Sequence, residues 1–410
     1  MKSEMDLAII GQNLSRLFLL LLLAVFLITA CGTEELIAEK PQLLPTMAPN
    51  MDFATRFGPT ATPSATETIP IIIVPSSPVP SATAATPMTA TPSPMPTNSA
   101  APTTTATPAH PLDINFMREV DYPGSPLTIE QKLSPGSNFD RFVASYLSEG
   151  NRIYALLTVP KGKMPPAGWP AIIFNHGYIP PDVYRTTKHY VDYVDSLARN
   201  SFIVFKPDYR GHGESEGQPT GAYGSPGYTI DVLNGLAAVK NLPGLDPDRI
   251  GMMGHSMGGY ITLRAMVVSE EIKAGVIWGG VVASYEDLLN NWGQRAGQGP
   301  TQTPNPTQTN GRPNMIDIYG PPEENPEFWA AISSNSYLTH LSGPIQLHHS
   351  TSDAAVPVEF SQKLYDQILE TGKAAELFLY KGDDHSLHAN FGTAMRRSIE
   401  YFDAYLQSEE

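Results

Sequence analysis

Gly254-His255-Ser256-Met257-Gly258 is the stretch on which the reading of this 410-residue chain turns. It has the pattern G-x-S-x-G, which places a serine on a sharp turn between a strand and a helix, with its hydroxyl exposed to attack a substrate. The pattern recurs by chance, and the chain holds it twice, the second time as Gly213-Glu214-Ser215-Glu216-Gly217. Flanking residues separate the two. Arg249-Ile250-Gly251-Met252-Met253 is a short apolar run after the turn-like Gly244-Leu245-Asp246-Pro247-Asp248 and reads as a buried strand. After Gly258-Gly259, the mostly apolar Tyr260 to Val268, free of Gly and Pro, reads as a buried helix. Ser215 has loop chemistry on both sides, and its two glutamate neighbours would oppose an alkoxide. Ser256 is therefore the candidate nucleophile.

The body around Ser256 alternates strand and helix signals. Arg141 to Ser148 and Arg152 to Val159 read as a hairpin. Ala171 to Asn175, Phe202 to Phe205, Ala274 to Trp278, Ile345 to His348 and Leu377 to Tyr380 read as further strands. Helices are expected over Tyr184 to Asn200, Ile230 to Asn241 and Phe391 to Leu406. Most strands are continuously apolar, which predicts an α/β fold with a mostly parallel sheet covered by helices on both faces. Residues 284–343 form an insert without strands, carrying Trp292, Trp329 and a low-complexity patch at 297–313. It reads as a small cap over the site.

A serine hydroxyl needs a base to take its proton, and the base needs a carboxylate to orient it. With the order Ser, acid, His, both partners belong in loops after late strands. Asp353 follows the strand at Ile345 to His348, and His385 follows the strand at Leu377 to Tyr380. Asp383 and Asp384 lie too near His385 in sequence to orient it easily, and His388 opens the last helix. His348-His349 suggests a metal at first sight, but adjacent strand residues point to opposite faces and no carboxylate cluster accompanies them. The expectation is no metal and no cofactor. His255, beside the nucleophile, is expected to point away into packing. The oxyanion hole is expected to combine the Met257 N–H with the Tyr178 N–H from the loop Asn175-His176-Gly177-Tyr178.

With these residues in place, the body resembles the catalytic domain of the prolyl oligopeptidase family within the α/β-hydrolases. The matching pieces are Asn175-His176-Gly177, Asp208-Tyr209-Arg210-Gly211-His212-Gly213-Glu214-Ser215, Asp248-Arg249-Ile250, Gly254 to Gly259, Asp353 with Val356-Pro357, and Asp384-His385. They run in order over about residues 140–407. The resemblance assigns Ser215 to a structural D-x-R-G-x-G loop. It implies a serine hydrolase. Peptidases of that family carry a β-propeller ahead of the catalytic domain, and here a Pro/Thr/Ser-rich stretch stands in that place. The insert is more typical of esterases, lipases and dienelactone-hydrolase-like enzymes. The expected substrate is a small-molecule carboxylic ester, with a short peptide as the alternative. A non-catalytic surface-binding module on the same scaffold is the rival from another class.

The rest of the chain bounds where this chemistry takes place. Residues 1–31 hold an apolar run, Leu17 to Ile28, ending in Thr29-Ala30-Cys31, the only cysteine of the chain. The segment resembles a bacterial lipoprotein signal with Cys31 as the lipid-modified residue, the alternative being an uncleaved anchor. Either reading tethers the protein to the cell membrane on its extracytoplasmic side. A lone cysteine excludes a disulfide within the chain. Residues 32–112 are dominated by Pro, Thr, Ser and Ala, without a charged side chain between Thr68 and Leu112. They read as a disordered stalk, and residues 113–410 as the catalytic domain. Of the 26 basic and 41 acidic residues, four and seven lie in residues 1–110, so 22 and 34 remain on the body, net −12. That surface argues against nucleic acid as a partner.

Overall fold

The structure, a computed structural model, describes residues 110–292 and 315–406. The lipoprotein-type segment, most of the stalk and the low-complexity patch of the insert lie outside the described residues.

Among the described residues, nine strands form one sheet in the order β1-β2-β3-β5-β4-β6-β7-β8-β9. They are β1 (Thr128–Lys132), β2 (Phe139–Ser148), β3 (Asn151–Pro160), β4 (Trp169–Asn175), β5 (Ile203–Pro207), β6 (Leu245–His255), β7 (Ala274–Trp278), β8 (Ile345–Ser350) and β9 (Ala375–Tyr380). Pairing is antiparallel from β1 through β3 to β5 and parallel from β5 to β9. The main helices are α1 (Ile114–Glu119), α2 (Val191–Arg199), α3 (Gly227–Val239), α4 (Met257–Val268), α5 (Val358–Glu370) and α6 (Phe391–Tyr405).

Period-two alternation divides the strand side chains between two cores. Ala171, Ile173, Ile250 and Met252 join residues of α3, α4 and α5, such as Leu236, Ile261 and Leu364. Ile172, Phe174 and Met253 join residues of α2 and α6, such as Leu197 and Phe402. The inner strands are apolar on both faces because both faces are covered. The edge strand β1, Thr-Ile-Glu-Gln-Lys, is exposed throughout and carries no core signature, so sequence reading passed it over.

One expected element is shortened. The helix anticipated over Tyr184 to Asn200 forms only at Val191–Arg199. Tyr184 is instead drawn inward, where its hydroxyl donates to Asp208 and accepts from Lys206. The turn before α2 ends at Tyr190, whose φ is +59°. The expected hairpin is present, with Ser148 opposite Asn151.

Strand order reverses between β4 and β6, since the chain leaves β4 towards β5 on one side and β6 leads to β7 on the other. A crevice at the carboxyl ends of the strands is where such sheets bind ligands. Asn175 lies opposite Gly254, His255 opposite Trp278, and Trp278 opposite His348. This register brings the loops after β4, β6, β7 and β8 to one end of the sheet.

Candidate active site

Ser256 occupies the single residue between β6 and α4, with φ +57° and ψ −119°. That backbone is strained for any residue with a side chain. Tight packing holds it. Its N–H donates to Trp278 O at 3.0 Å, and its carbonyl accepts from Gly259 at 2.9 Å and Val281 at 3.1 Å. A Cβ on Gly254 would overlap the Gly258 carbonyl, and a Cβ on Gly258 would overlap the carbonyl oxygen of Asn175. The two glycines of the motif are thus needed so that β6, α4 and the end of β4 can touch.

His385 lies beside this turn. A Cβ on Gly279, which follows β7, would stand 3.1 Å from His385 Nδ1. Asp353 Oδ2 lies 2.6 Å from His385 Nδ1. The other carboxylate oxygen of Asp353 accepts the Ala355 and Val356 N–H groups at 2.8 and 2.9 Å. His349 Nε2 is 3.2 Å from the oxygen that receives His385. Burial pushes the Asp353 carboxyl up, but the hydrogen bonds from His349 and His385 outweigh it and hold the group well below the ordinary carboxylate range. Asp353 therefore stays ionised and fixes the Nδ1–H tautomer of His385. The hydrogen bonds of His385 go to Asp353 and, through its carbonyl, to His255; among the described residues none joins it to Ser256 Oγ. Such bonds are commonly long until substrate tightens them.

The loop after β4 supplies the other wall. Gly177 is pressed on the Ser256 turn, since a Cβ there would lie 3.1 Å from Ser256 Cβ. Both polar groups of Gly177 are engaged: its N–H donates to Tyr190 Oη at 3.0 Å and its carbonyl lies 2.7 Å from His176 Nδ1. His176 is stacked between Tyr184 and Tyr209 at ring separations of 4.4 and 4.2 Å. Burial pushes the His176 imidazole far below its ordinary pKa, so it is neutral and has one N–H to give. Nδ1 faces the Gly177 carbonyl at 2.7 Å and Nε2 the Asp208 carbonyl at 3.2 Å, so the ring sits between the loops after β4 and β5. A trans peptide turns the Tyr178 N–H to the side opposite the Gly177 carbonyl. Neither Tyr178 N–H nor Met257 N–H is taken up within the described residues.

The structure thus gathers Ser256, Met257, Tyr178, His385 and Asp353 at one end of the sheet. The remaining candidates do structural work. Ser215 Oγ accepts the Tyr154 N–H at 2.9 Å and Glu216 accepts that of Arg152 at 2.8 Å, so the second G-x-S-x-G pins its loop to β3. Asp383 accepts the N–H groups of Ala389 and Asn390 at 3.1 and 3.0 Å, ahead of α6. His348 and His349 face opposite sides, His348 towards Tyr380 and His349 towards Ser361 on α5. His255 departs from expectation. Its ring stands 4.7 Å from that of His385, and its two nitrogens contact Tyr190 Oη and His385 O. Sequence reading also missed Tyr190 and His349, because only the folded chain shows what they meet.

Trp292 and Trp329 of the insert are both buried. Trp329 Nε1 donates to Gly320 within the insert at 3.1 Å, whereas Trp292 Nε1 donates to Ala355 O at 2.8 Å, beside Asp353. Tyr223 packs edge-on against both Trp292 and Tyr260, the latter one helical turn beyond Ser256.

A sheet of this order, with a strained serine between its sixth strand and the following helix, is an α/β-hydrolase. The chain belongs to the prolyl oligopeptidase family, whose model matches residues 189–409, and it is a serine hydrolase of the esterase or peptidase kind. A Bacillus subtilis relative, the uncharacterized peptidase YtmA, is 24% identical over 254 residues, covering 62% of this chain and 88% of its own length. Among solved structures, acetyl xylan esterase 1 from Thermoanaerobacterium sp. JW/SL YS485 matches with a TM-score of 0.52 at 17% identity, over 72% of this chain and 92% of that one. Pyrococcus horikoshii acylaminoacyl peptidase matches with a TM-score of 0.52 at 22% identity, over 67% of this chain but 43% of that one. At such identities the structural likeness is one of fold.

Proposed function

We propose that this chain hydrolyses carboxylic esters through an acyl-enzyme on Ser256. The observation that carries the proposal is the strained Ser256 turn with an Asp353-bound His385 seated beside it. Ser256 Oγ attacks the ester carbonyl while His385 Nε2 takes the hydroxyl proton. The C–O bond to the alcohol then breaks, and His385 returns that proton to the leaving oxygen. Water repeats the sequence on the acyl-enzyme, giving the acid and free Ser256. The Met257 and Tyr178 N–H groups would meet the oxyanion, whose charge exists only in the tetrahedral state. Asp353 holds His385 in the required tautomer and stabilises the imidazolium.

An ester is favoured over a peptide by the insert. Its Trp292 is buried and donates to Ala355 O beside Asp353, and it packs with Tyr223 and Tyr260 of the same core, so the insert is anchored at the site in the manner of the cap of an esterase. We also propose residues 284–343 as the cap, residues 113–410 as the catalytic domain, and tethering outside the cytoplasm through Cys31 on the 32–112 stalk.

The test uses the purified chain with a fluorophosphonate probe, p-nitrophenyl esters and aminoacyl p-nitroanilides. Labelling is expected to vanish in Ser256→Ala and persist in Ser215→Ala, with ester turnover exceeding anilide turnover. Labelling that survives Ser256→Ala overturns the nucleophile, and turnover confined to anilides overturns the ester assignment in favour of a peptidase.

A further inference from the structure

His255 and Tyr190 link two loops that the chemistry needs to keep in register. His255 is buried, and its Nε2 lies 3.1 Å from the carbonyl oxygen of His385. A carbonyl only accepts, so Nε2 carries the proton. Nδ1 is then a lone pair, and Tyr190 Oη, 2.8 Å away, must donate to it. The Tyr190 oxygen in turn accepts the Gly177 N–H at 3.0 Å. Every donor in the series is thereby assigned, from Gly177 N–H to Tyr190, from Tyr190 O–H to His255, and from His255 Nε2–H to His385 O. The first member is next to the Tyr178 N–H and the last is the backbone of the candidate base.

Two further features hold this series in place. Tyr190 adopts φ +59°, a left-handed conformation disfavoured for a tyrosine. In the first turn of α2, Tyr193 Oη donates to Ser386 O at 3.3 Å, so the residue that precedes the helix and one in its first turn grip the two ends of the arrangement. Burial, reinforced by the neighbouring His385, pushes the His255 pKa down to about 3, which keeps its ring neutral and its two nitrogens distinct.

We propose that Tyr190 and His255 are positioning residues for acyl transfer, a directional relay that locks the Gly177–Tyr178 loop and the His385 loop in one geometry around Ser256. The proposal rests on the reading of Ser256 as nucleophile. It predicts that losing the relay slows the chemical step more than substrate binding, since both loops act on the transition state. Deleting an oxyanion donor outright costs about 100- to 1,000-fold in kcat. Loosening the loop that carries one should cost about 10- to 100-fold.

Tyr190→Phe removes one hydroxyl and keeps the ring that packs on Phe174 and Tyr193. His255→Phe removes both nitrogens. Each is expected to lower kcat for a p-nitrophenyl ester about 10- to 100-fold with KM within about twofold. The double variant should be no slower than the worse single one, because one relay is broken once. His255→Gln, which restores a donor towards His385 O, should recover part of the loss. A second measurement needs no variant: the ring nitrogen shifts of His255 in the wild-type chain should report the neutral Nε2–H tautomer at pH 7. A kcat in Tyr190→Phe within twofold of wild type, fully multiplicative single effects, or an Nδ1–H tautomer would overturn the relay. If the wild-type chain takes no fluorophosphonate at Ser256, the nucleophile assignment falls and the relay with it. Labelled wild-type enzyme with an unaffected Tyr190→Phe sinks the relay alone.

Discussion

His349 Nε2 lies 3.2 Å from Asp353 Oδ2, the same oxygen that binds His385. Asp353 thus meets His385, two backbone N–H groups and His349 Nε2, which is shared with the Val356 carbonyl at 3.1 Å, and these contacts hold the carboxylate against rotation away from His385. His349 is itself oriented by Ser361, whose hydroxyl lies 2.7 Å from its Nδ1. Replacing His349 by Phe removes one donor from an ion and should destabilise the chain by about 2 kcal/mol at pH 7. The Asp353 pKa is held below its unfolded value of 3.8. Its stabilising contribution is therefore present above that value and is lost as pH falls through the folded pKa. Urea unfolding of both proteins should accordingly show the gap between them narrowing as pH falls below 3.8, and a gap that widens there would refute the assignment.

Buried neutral histidines set a second pH dependence. Burial pushes His255 down to about 3 and holds His176 and His348 well below 6.5. Between the unfolded value of 6.5 and the folded one, the unfolded chain binds protons that the native chain refuses. Stability must then fall as pH drops below 6.5, by up to about 1.4 kcal/mol per pH unit for each such ring. Thermal melts from pH 8 to pH 4 should show a plateau and then a decline in Tm starting near pH 6.5. A Tm flat to pH 4 would contradict the neutral buried state.

Gly258→Ala should be severe for a residue bearing no chemistry of its own. The added methyl overlaps the Asn175 carbonyl, a backbone atom that no rotamer change can move. Separation of β4 from α4 should cost about 3 kcal/mol and carry the Tyr178 loop away from Ser256. Loss of both Tm and fluorophosphonate labelling is expected, and wild-type behaviour in both would show that the turn relaxes freely.

Ser215→Ala tests the opposite claim for the second motif. It leaves the Tyr154 N–H without its hydroxyl partner, so about 1–2 kcal/mol of stability is lost with turnover per folded molecule unchanged.

The proposed tether makes a cellular prediction. Cys31→Ser in the full chain should abolish palmitate incorporation and release the enzyme from the membrane fraction when expressed in a bacterial host. Membrane retention equal to wild type would favour an uncleaved apolar anchor over a lipid.

Much of the fold was legible because the inner strands are apolar on both faces and are punctuated by Gly and Pro. Ala171 to Asn175 and Ala274 to Trp278 could be little else than covered strands. Strand β1 was not legible, because an exposed edge strand needs only a partner, and Thr-Ile-Glu-Gln-Lys shows no burial pattern. The helix before β5 is shorter than expected: Tyr190, Val191, Val194 and Leu197 have helical spacing, but Tyr184 and Tyr190 lie ahead of the helix. Their hydroxyls are claimed by Lys206 and Asp208 in one case and by Gly177 and His255 in the other, and those partners lie far away in sequence.

Sequence by itself determined the kind of turn at Ser256, since only glycine at 254 and 258 permits that close approach, and it determined the order Ser256, Asp353, His385. Strand patterning placed those residues just after β6, β8 and β9, a local property of the chain. Tertiary structure alone decided which groups hold the site rigid. That His349 shares Asp353, that His176 sits between the Gly177 and Asp208 carbonyls, and that His255 looks towards Tyr190 and His385 rather than into apolar packing are facts of long-range contact. An imidazole carries no intrinsic preference among such partners. Its tautomer, its charge and its role are set by the acceptors and the burial that the finished fold supplies.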